Sequence, residues 1–335
     1  MGIDGRKKPD GGLLVPSITD VLEARKILFG IARRTPLEYS RHLSELSGAQ
    51  VYMKLENWQA TNSFKIRGAI NKVYSLTENE RRRGVITASS GNHAQGLAAA
   101  AARLGIKAVV CVPETCPETK KSAVLALGGG LADLRVIGAS YDDTERAALR
   151  YADEEGMTFV SAYEDAHIAA GQGTLAFEIF EDEPEIDAIF CPLSGGGLMT
   201  GVAVASRALR PGVELWGATA ENNPGWRLAW EAGKVARYDE LDSIADALGG
   251  SPSAKLFGFI RESINGVVAA SEGDIASAMA LIHEKHHMVI EGAAGTAVAA
   301  LLSGSAHLRG KRVAVVISGG NVDGSKMIGI LNRAR

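Results

Sequence analysis

The sequence predicts an α/β protein with two domains and mostly parallel, twisted sheets, and three observations carry that prediction. From residue 84 onward, short apolar strands alternate with helix-patterned runs, which implies right-handed crossovers. Val313-Ala314-Val315-Val316-Ile317 is a continuous apolar run, as expected of a central parallel strand buried on both faces. With 335 residues, 46% of them hydrophobic and 22% charged, the chain can build two cores or one large one.

Taken in order, residues 1–15 contain no apolar h-region, and Arg6 stands where a myristoylation signal wants Ser or Thr, so a mobile tail is expected. The run SITDVLEARKIL after Pro16 reads as a helix, with Asp20 and Glu23 in its first turn and Val21, Leu22 and Leu28 on one face. Residues 51–56 alternate like a strand, and a helix is expected to begin within residues 63–68 and to run to about Leu76. Strands at 84–88, 108–112 and 134–137 then alternate with helices at 92–104, 119–127 and 141–155. A second series follows, with strands at 159–160, 188–191 and 214–217 and helices at 173–180, from about Leu198, from Asp274 and from about Ala293.

A net charge of −3 argues against nucleic acid or an anionic membrane as the main partner. No apolar run approaches membrane-spanning length, and the Ala-rich stretch after Gly96 is broken by Arg103. Cys111, Cys116 and Cys191 form no CxxC pair and no even framework, which predicts a reduced, cytoplasmic compartment.

Chemistry is expected at Lys65, which follows Phe64 and precedes Ile66; burial against such surface would free its lone pair. Four loops fall at the strand ends where open parallel sheets bind ligands. Ser89-Ser90-Gly91-Asn92-His93 gathers hydroxyls and backbone N–H groups at a helix start, suiting a carboxylate or simple helix capping. Ser194-Gly195-Gly196-Gly197-Leu198 runs from a strand into a helix, and its backbone could hold a phosphate or just make a turn. It is neither a Walker A loop nor GxGxxG, so a nucleotide is not expected. Ser318-Gly319-Gly320-Asn321 and Glu291-Gly292-Ala293 complete the set, each weak alone.

Together, SFKIRGA, SSGNHAQG, SGGGL and SGGN resemble, in order and over nearly the whole chain, the fold-type-II pyridoxal-phosphate enzymes, in particular the threonine/serine dehydratase and serine racemase group. TPLEYSRHLSELSGAQVYMKLEN and IAAGQGTLAFEI are similar to that group too. The resemblance implies a tryptophan-synthase-β-like fold with a discontinuous large domain (1–52 and 156–335), a small domain (53–155) and pyridoxal 5'-phosphate in the cleft between them. It implies that Lys65 carries the cofactor as a Schiff base and acts as base on the substrate Cα proton. By the same resemblance Phe64 packs near the cofactor ring, Asn92 bonds its phenolic oxygen, and Ser89, Ser90, Asn92 and His93 receive the substrate. The phosphate falls to Ser194, Gly195, Gly196, Gly197 and Leu198, with Ser194 in place of a further glycine. Ser318 faces the pyridine nitrogen, and Glu291 lies near the ring. A hydroxyl at that nitrogen makes a weaker electron sink than a carboxylate would, which suits loss of water from a β-hydroxy amino acid such as L-threonine or L-serine. The resemblance also implies a homodimer or homotetramer.

Several departures leave alternatives open. Ser90 matches the opposite-face base of the racemases, so serine racemase is one alternative. The run 217–223 lacks the metal-binding GxEP pattern and leaves Glu221 out of register, so no metal is expected there. Ile244 to Gly250 is similar to the branch that includes the hydroxyectoine-utilisation dehydratases, a further alternative. The chain ends soon after SGGN, so no allosteric C-terminal domain is expected. His283-Glu284-Lys285-His286-His287 matches HExxH, but no third ligand follows on a second helix, and zinc catalysis is the rival reading.

Overall fold

The computed structural model describes residues 14–304 and 306–333. Among these residues ten strands run in chain order: β1 (Leu37–Tyr39), β2 (Gln50–Leu55), β3 (Val85–Ala88), β4 (Ala108–Val112), β5 (Ala132–Val136), β6 (Thr158–Phe159), β7 (Ala188–Pro192), β8 (Glu214–Ala220), β9 (Gly266–Ala270) and β10 (Arg312–Ile317). They form a six-stranded sheet in the order β1-β2-β10-β7-β8-β9 and a four-stranded sheet in the order β5-β4-β3-β6. Only the β1–β2 pair is antiparallel.

The apolar run of β10 lies near the middle of the larger sheet, between β2 and β7. Val313, Val315 and Ile317 pack toward the helix Gly292–Leu302, while Ala314 and Val316 pack toward the helices Ala166–Asp182 and Gly197–Leu209. Burial on both faces explains why this strand shows no alternation.

Some expected boundaries change. A division at residue 52 would cut β2, whose residues 50–55 all pair with β10, so the whole strand belongs with the larger sheet. A division at 156 would put β6 with the larger sheet, whereas Thr158 and Phe159 pair with Val85 and Ile86 of β3. Residues 1–13 of the expected tail lie outside the described residues, but Leu14 is buried and Val15 packs beside it in the core. Strands β1 and β9 have no expected counterpart.

The helix expected from Gly173 begins at Ala166, where Asp165 caps the N–H groups of His167 and Ile168 at 2.8 and 3.2 Å. Gly171 and Gly173 look like helix breakers in the sequence, but here they let helices touch. A Cβ on Gly173 would lie 2.6 Å from the Gly201 carbonyl oxygen, and one on Gly201 would lie 2.0 Å from that of Ala169.

Four charged side chains are buried together where the helix Lys65–Tyr74 meets the larger sheet. Arg67 donates to both Glu56 oxygens at 2.8 Å and to the Glu178 oxygens at 2.6 and 2.8 Å. Lys54 on β2 donates to Glu178 at 2.5 Å and to the Thr35 carbonyl at 2.6 Å. Two cations and two carboxylates balance, and each is multiply hydrogen bonded, which such burial requires. Arg67→Ala is expected to destabilise the fold by about 3–5 kcal/mol, because it strands Glu56 and Glu178 without a guanidinium. A urea unfolding shift below about 1 kcal/mol, the scale of an exposed pair, would contradict this account.

Candidate active site

The helix Lys65–Tyr74 starts at the candidate lysine itself, with Phe64 at the N-cap. The segment before it is fastened to the end of β10: Phe64 N–H donates to the Ser318 carbonyl at 3.0 Å, and Gly320 N–H to the Asn62 carbonyl at 2.9 Å. The SFK and SGGN motifs, over 250 residues apart in the chain, therefore meet as backbone partners.

One cavity of about 1130 Å³ is lined by the Phe64–Lys65 pair, residues 89–93 and 194–198, Glu291 and Ser318. The loops come from the C-terminal ends of β3, β7 and β10, so both sheets contribute. The segment Ile244 to Gly250 also lines it, and Ser194 Oγ donates to the Gly249 carbonyl at 3.2 Å.

Lys65 Nζ donates to the Ala162 carbonyl at 3.0 Å and lies 5.3 Å from the centre of the Phe64 ring. Although part of the residue reaches the cavity, desolvation of the ammonium brings its pKa down to about 8, and the Glu291 charge only partly opposes this. Glu291 is buried, and desolvation raises its carboxyl to about 7 despite hydrogen bonds from Asn92 Nδ2 to Oε1 and Oε2, both at 2.9 Å.

His93 lies on the cavity wall, as the sequence leads one to expect of its loop. Its Nε2 lies 3.1 Å from the Val160 carbonyl, which accepts only, so that nitrogen carries the hydrogen. Burial, followed by repulsion from Lys65, lowers its pKa to about 3. His93 is thus a neutral ring tied to backbone. Ser89 and Ser90 remain partly open to the cavity, and the helix Asn92–Arg103 begins at Gly91 without a side-chain cap. Simple helix capping by the serines is therefore not what the structure shows.

Tyr163, which no sequence pattern marked, lies under the glycine loop. A Cβ on Gly195 would come 2.3 Å from its ring, and one on Gly197 would come 2.9 Å from its Cα. Gly196 has φ +105°, which side chains disfavour. No side chain caps the helix Gly197–Leu209, leaving its first N–H groups directed at the cavity.

The HExxH match does not form a helical ligand pair. The helix Glu272–His286 ends before His287, which adopts φ 55°, and His286 Nε2 lies 2.9 Å from Ser40 Oγ.

A pyridoxal-phosphate dependent enzyme family model matches residues 28–319. The chain belongs to the pyridoxal-phosphate dependent enzymes. It is 39% identical over 318 residues to an L-threonine ammonia-lyase of Thermotoga maritima, an alignment covering 95% of this chain and 78% of that one. It is 35% identical over 314 residues to the catabolic L-threonine dehydratase TdcB of Escherichia coli, covering 93% and 94%. Among solved structures, maize serine racemase aligns with TM-score 0.90 and 29% identity over 95% of this chain and 98% of that one.

The residues present fit the cofactor of this family. Ser318 Oγ is buried without a hydrogen-bond partner, the glycine loop packs so closely on Tyr163 and Ile260 that only its backbone can face the cavity, and the lysine amine has a pKa lowered to about 8.

The two shifted groups give opposite pH signatures. Between about pH 4.5 and 7 the folded protein holds a proton on Glu291 that the unfolded chain has released, so stability falls as pH rises through that window. Between about pH 8 and 10.5 the unfolded chain holds the Lys65 proton that the folded protein has lost, so stability rises with pH. Urea midpoints of cofactor-free wild type are expected to fall across the acidic window, and Glu291→Gln is expected to flatten that fall. An unchanged slope in the variant would show that Glu291 is not the titrating group.

Proposed function

We propose that this enzyme is a threonine/serine ammonia-lyase, eliminating water from a β-hydroxy amino acid to give a 2-oxo acid and ammonia. The observation that carries the reading is the placement of Lys65, with its lowered pKa, and the unpartnered Ser318 hydroxyl on one cavity. The names of the Thermotoga and Escherichia relatives support the same substrate class. Pyridoxal phosphate, when bound, supplies an electron sink for the pair left on Cα.

The chain's own residues do the rest. The Lys65 amine would hold the cofactor covalently and, as a free base, would take the Cα proton. Backbone N–H groups at Gly195, Gly196 and Gly197 and the start of the following helix would hold the phosphate, with Ser194 and Leu198 at its margins. Ser318 would meet the pyridine nitrogen as a hydroxyl, and a neutral partner there does not enforce ring protonation. That favours a substrate whose own β-hydroxyl leaves. Ser89, Ser90 and the uncapped first-turn N–H groups of the helix that starts at Asn92 would receive the substrate carboxylate, with Ser89 Oγ also accepting the Gly91 N–H at 3.3 Å.

The same reading makes the two sheets two domains, with β2 in the larger and β6 in the smaller, and the cofactor between them. No described helix is long and apolar enough to cross a membrane, and the three cysteines are free and buried, which suits a cytoplasmic enzyme. A homodimer or homotetramer is part of the proposal.

Serine racemase is the second reading, favoured by Ser90 on the cavity wall and by the maize structure. Wild-type protein is expected to release 2-oxo acid and ammonia from L-threonine and L-serine, with Lys65→Ala at least about 10³-fold slower, in line with loss of both nucleophile and base. Ser90→Ala should retain elimination and lose any D-serine formation. Equal loss of both products in Ser90→Ala would overturn this division of roles, and full elimination by Lys65→Ala would overturn the mechanism.

A further inference from the structure

Asn321, the last residue of SGGN, makes contacts that determine which way a neighbouring amide points. Its Nδ2 donates to the Thr61 carbonyl at 2.9 Å and to Asn92 Oδ1 at 2.8 Å. Its Oδ1 lies 3.4 Å from Asn62 Nδ2. A backbone carbonyl can only accept, so the Asn321 atom facing Thr61 must be the nitrogen. That nitrogen's second hydrogen points at Asn92, so the Asn92 atom facing it must be the oxygen. The Asn92 nitrogen is then forced to the opposite side, where it donates to Glu291 at 2.9 Å. One fixed backbone acceptor thus sets the polarity of two side-chain amides in series.

The acceptor is itself held in place. Thr61 and Asn62 precede the Ser63–Gly319 bridge, and Gly320 N–H donates to the Asn62 carbonyl. The two loops that contain Asn321 and Thr61 therefore move as one unit. Asn92 belongs to the other sheet's loop after β3, so the Asn321–Asn92 hydrogen bond also joins the two sheets' contributions to the cavity.

We propose that Asn321 is a positioning residue that fixes the Asn92 amide with its N–H groups, not its oxygen, toward the cofactor cavity. The proposal rests on the reading that pyridoxal phosphate occupies this cavity with its phenolic oxygen beside Asn92. There the polarity matters: an N–H donor stabilises an oxyanion, whereas an amide oxygen in the same place repels it. An ionised Glu291 favours the same orientation from the other side, but burial favours its protonated form, which can donate as well as accept and leaves Asn321 as the remaining constraint. Asn321→Asp places an acceptor where Asn92 Oδ1 now receives a hydrogen, which favours rotation of Asn92 and brings its oxygen toward the cavity. Asn321→Ala removes the constraint without imposing the reverse.

The test is a pH titration of the visible absorbance band that pyridoxal phosphate forms with Lys65, in the holoenzyme and without substrate. Because the Asn92 N–H stabilises the phenolate and so eases loss of the neighbouring nitrogen's proton, the apparent pKa should rise in Asn321→Ala. It should rise further in Asn321→Asp, by roughly one unit, the scale of a charge-assisted hydrogen bond. Asn92→Ala should raise it similarly, and adding Asn321→Ala to Asn92→Ala should produce no further rise, since the relay is already cut. A purely structural role would lower the melting temperature while leaving the titration where it is in wild type. A wild-type band whose pKa does not move in either Asn321 variant, or additive shifts in the double variant, would overturn the proposal. So would failure of both Asn321 variants to fold, which would make Asn321 part of the scaffold. Absence of any Lys65-dependent band in wild type would overturn the cofactor reading, and the relay with it.

Discussion

Lys65 is held in place by charges it never touches. Arg67, two residues after Lys65, is clamped between Glu56 and Glu178, and Lys54 completes the group from β2. These contacts join the larger sheet, the turn after β2, the helix that starts at Lys65 and the long helix Ala166–Asp182. Burial works against the Arg67 charge, but the two carboxylates outweigh it, and its pKa rises. Such a group adds little stability over a well-packed apolar substitute, but it tolerates only one arrangement, since each lost partner leaves a charge stranded. The helix carrying Lys65 therefore has a fixed register on the sheet.

The contrast between Lys54 and Lys65 shows how one physical cost serves two ends. Both ammonium groups lose water on burial, and desolvation lowers both pKa values. Lys54 meets the carboxylates of Glu178 and Glu56, which pull the proton back. Lys65 meets a carbonyl, an aromatic face and Glu291, whose own charge burial disfavours. With so little compensation, the Lys65 amine gives up its proton near pH 8, as the proposed attack on a carbonyl carbon would require. The useful lysine is the poorly paired one.

How much of this could be read from the sequence depended on whether the signal was local. The Val313–Ile317 run announces a strand buried on both faces because every residue in it is apolar. The lysine and the serine, glycine and SGGN loops announce themselves because small polar residues interrupt apolar strands at their C-terminal ends. The Arg67 group has no such mark: Lys54, Glu56, Arg67 and Glu178 span 125 residues, and each alone looks like a surface charge. Gly171 and Gly173 were misleading for a related reason. Helix propensity counts against them locally, while the gain from close packing, of Gly171 against Arg67 and Gly68 and of Gly173 against Gly201, exists only once the helices are side by side. For His93 the sequence reveals a titratable ring near a binding loop, not the Val160 carbonyl to which it is tied.

The helix starts complete the argument about charge. Seven helices begin on Ser17, Ser40, Thr77, Ser140, Asp165, Ser253 and Ser271, each of whose side chains accepts an N–H of its own first turn, and of these seven N-caps only Ser140 lines the cavity. Four other helices have their N-caps on the cavity wall, Phe64, Gly91, Gly196 and Glu291, and none of these has a side-chain cap. Uncapped N–H groups and positive helix ends cost stability when water must serve them alone, about 1 kcal/mol for each missing cap. Four such ends around one cavity make a field suited to a phosphate and a carboxylate together, and the same field disfavours a proton on Lys65. The capping that the fold forgoes at these four positions is what leaves the site ready for an anionic cofactor and an anionic substrate.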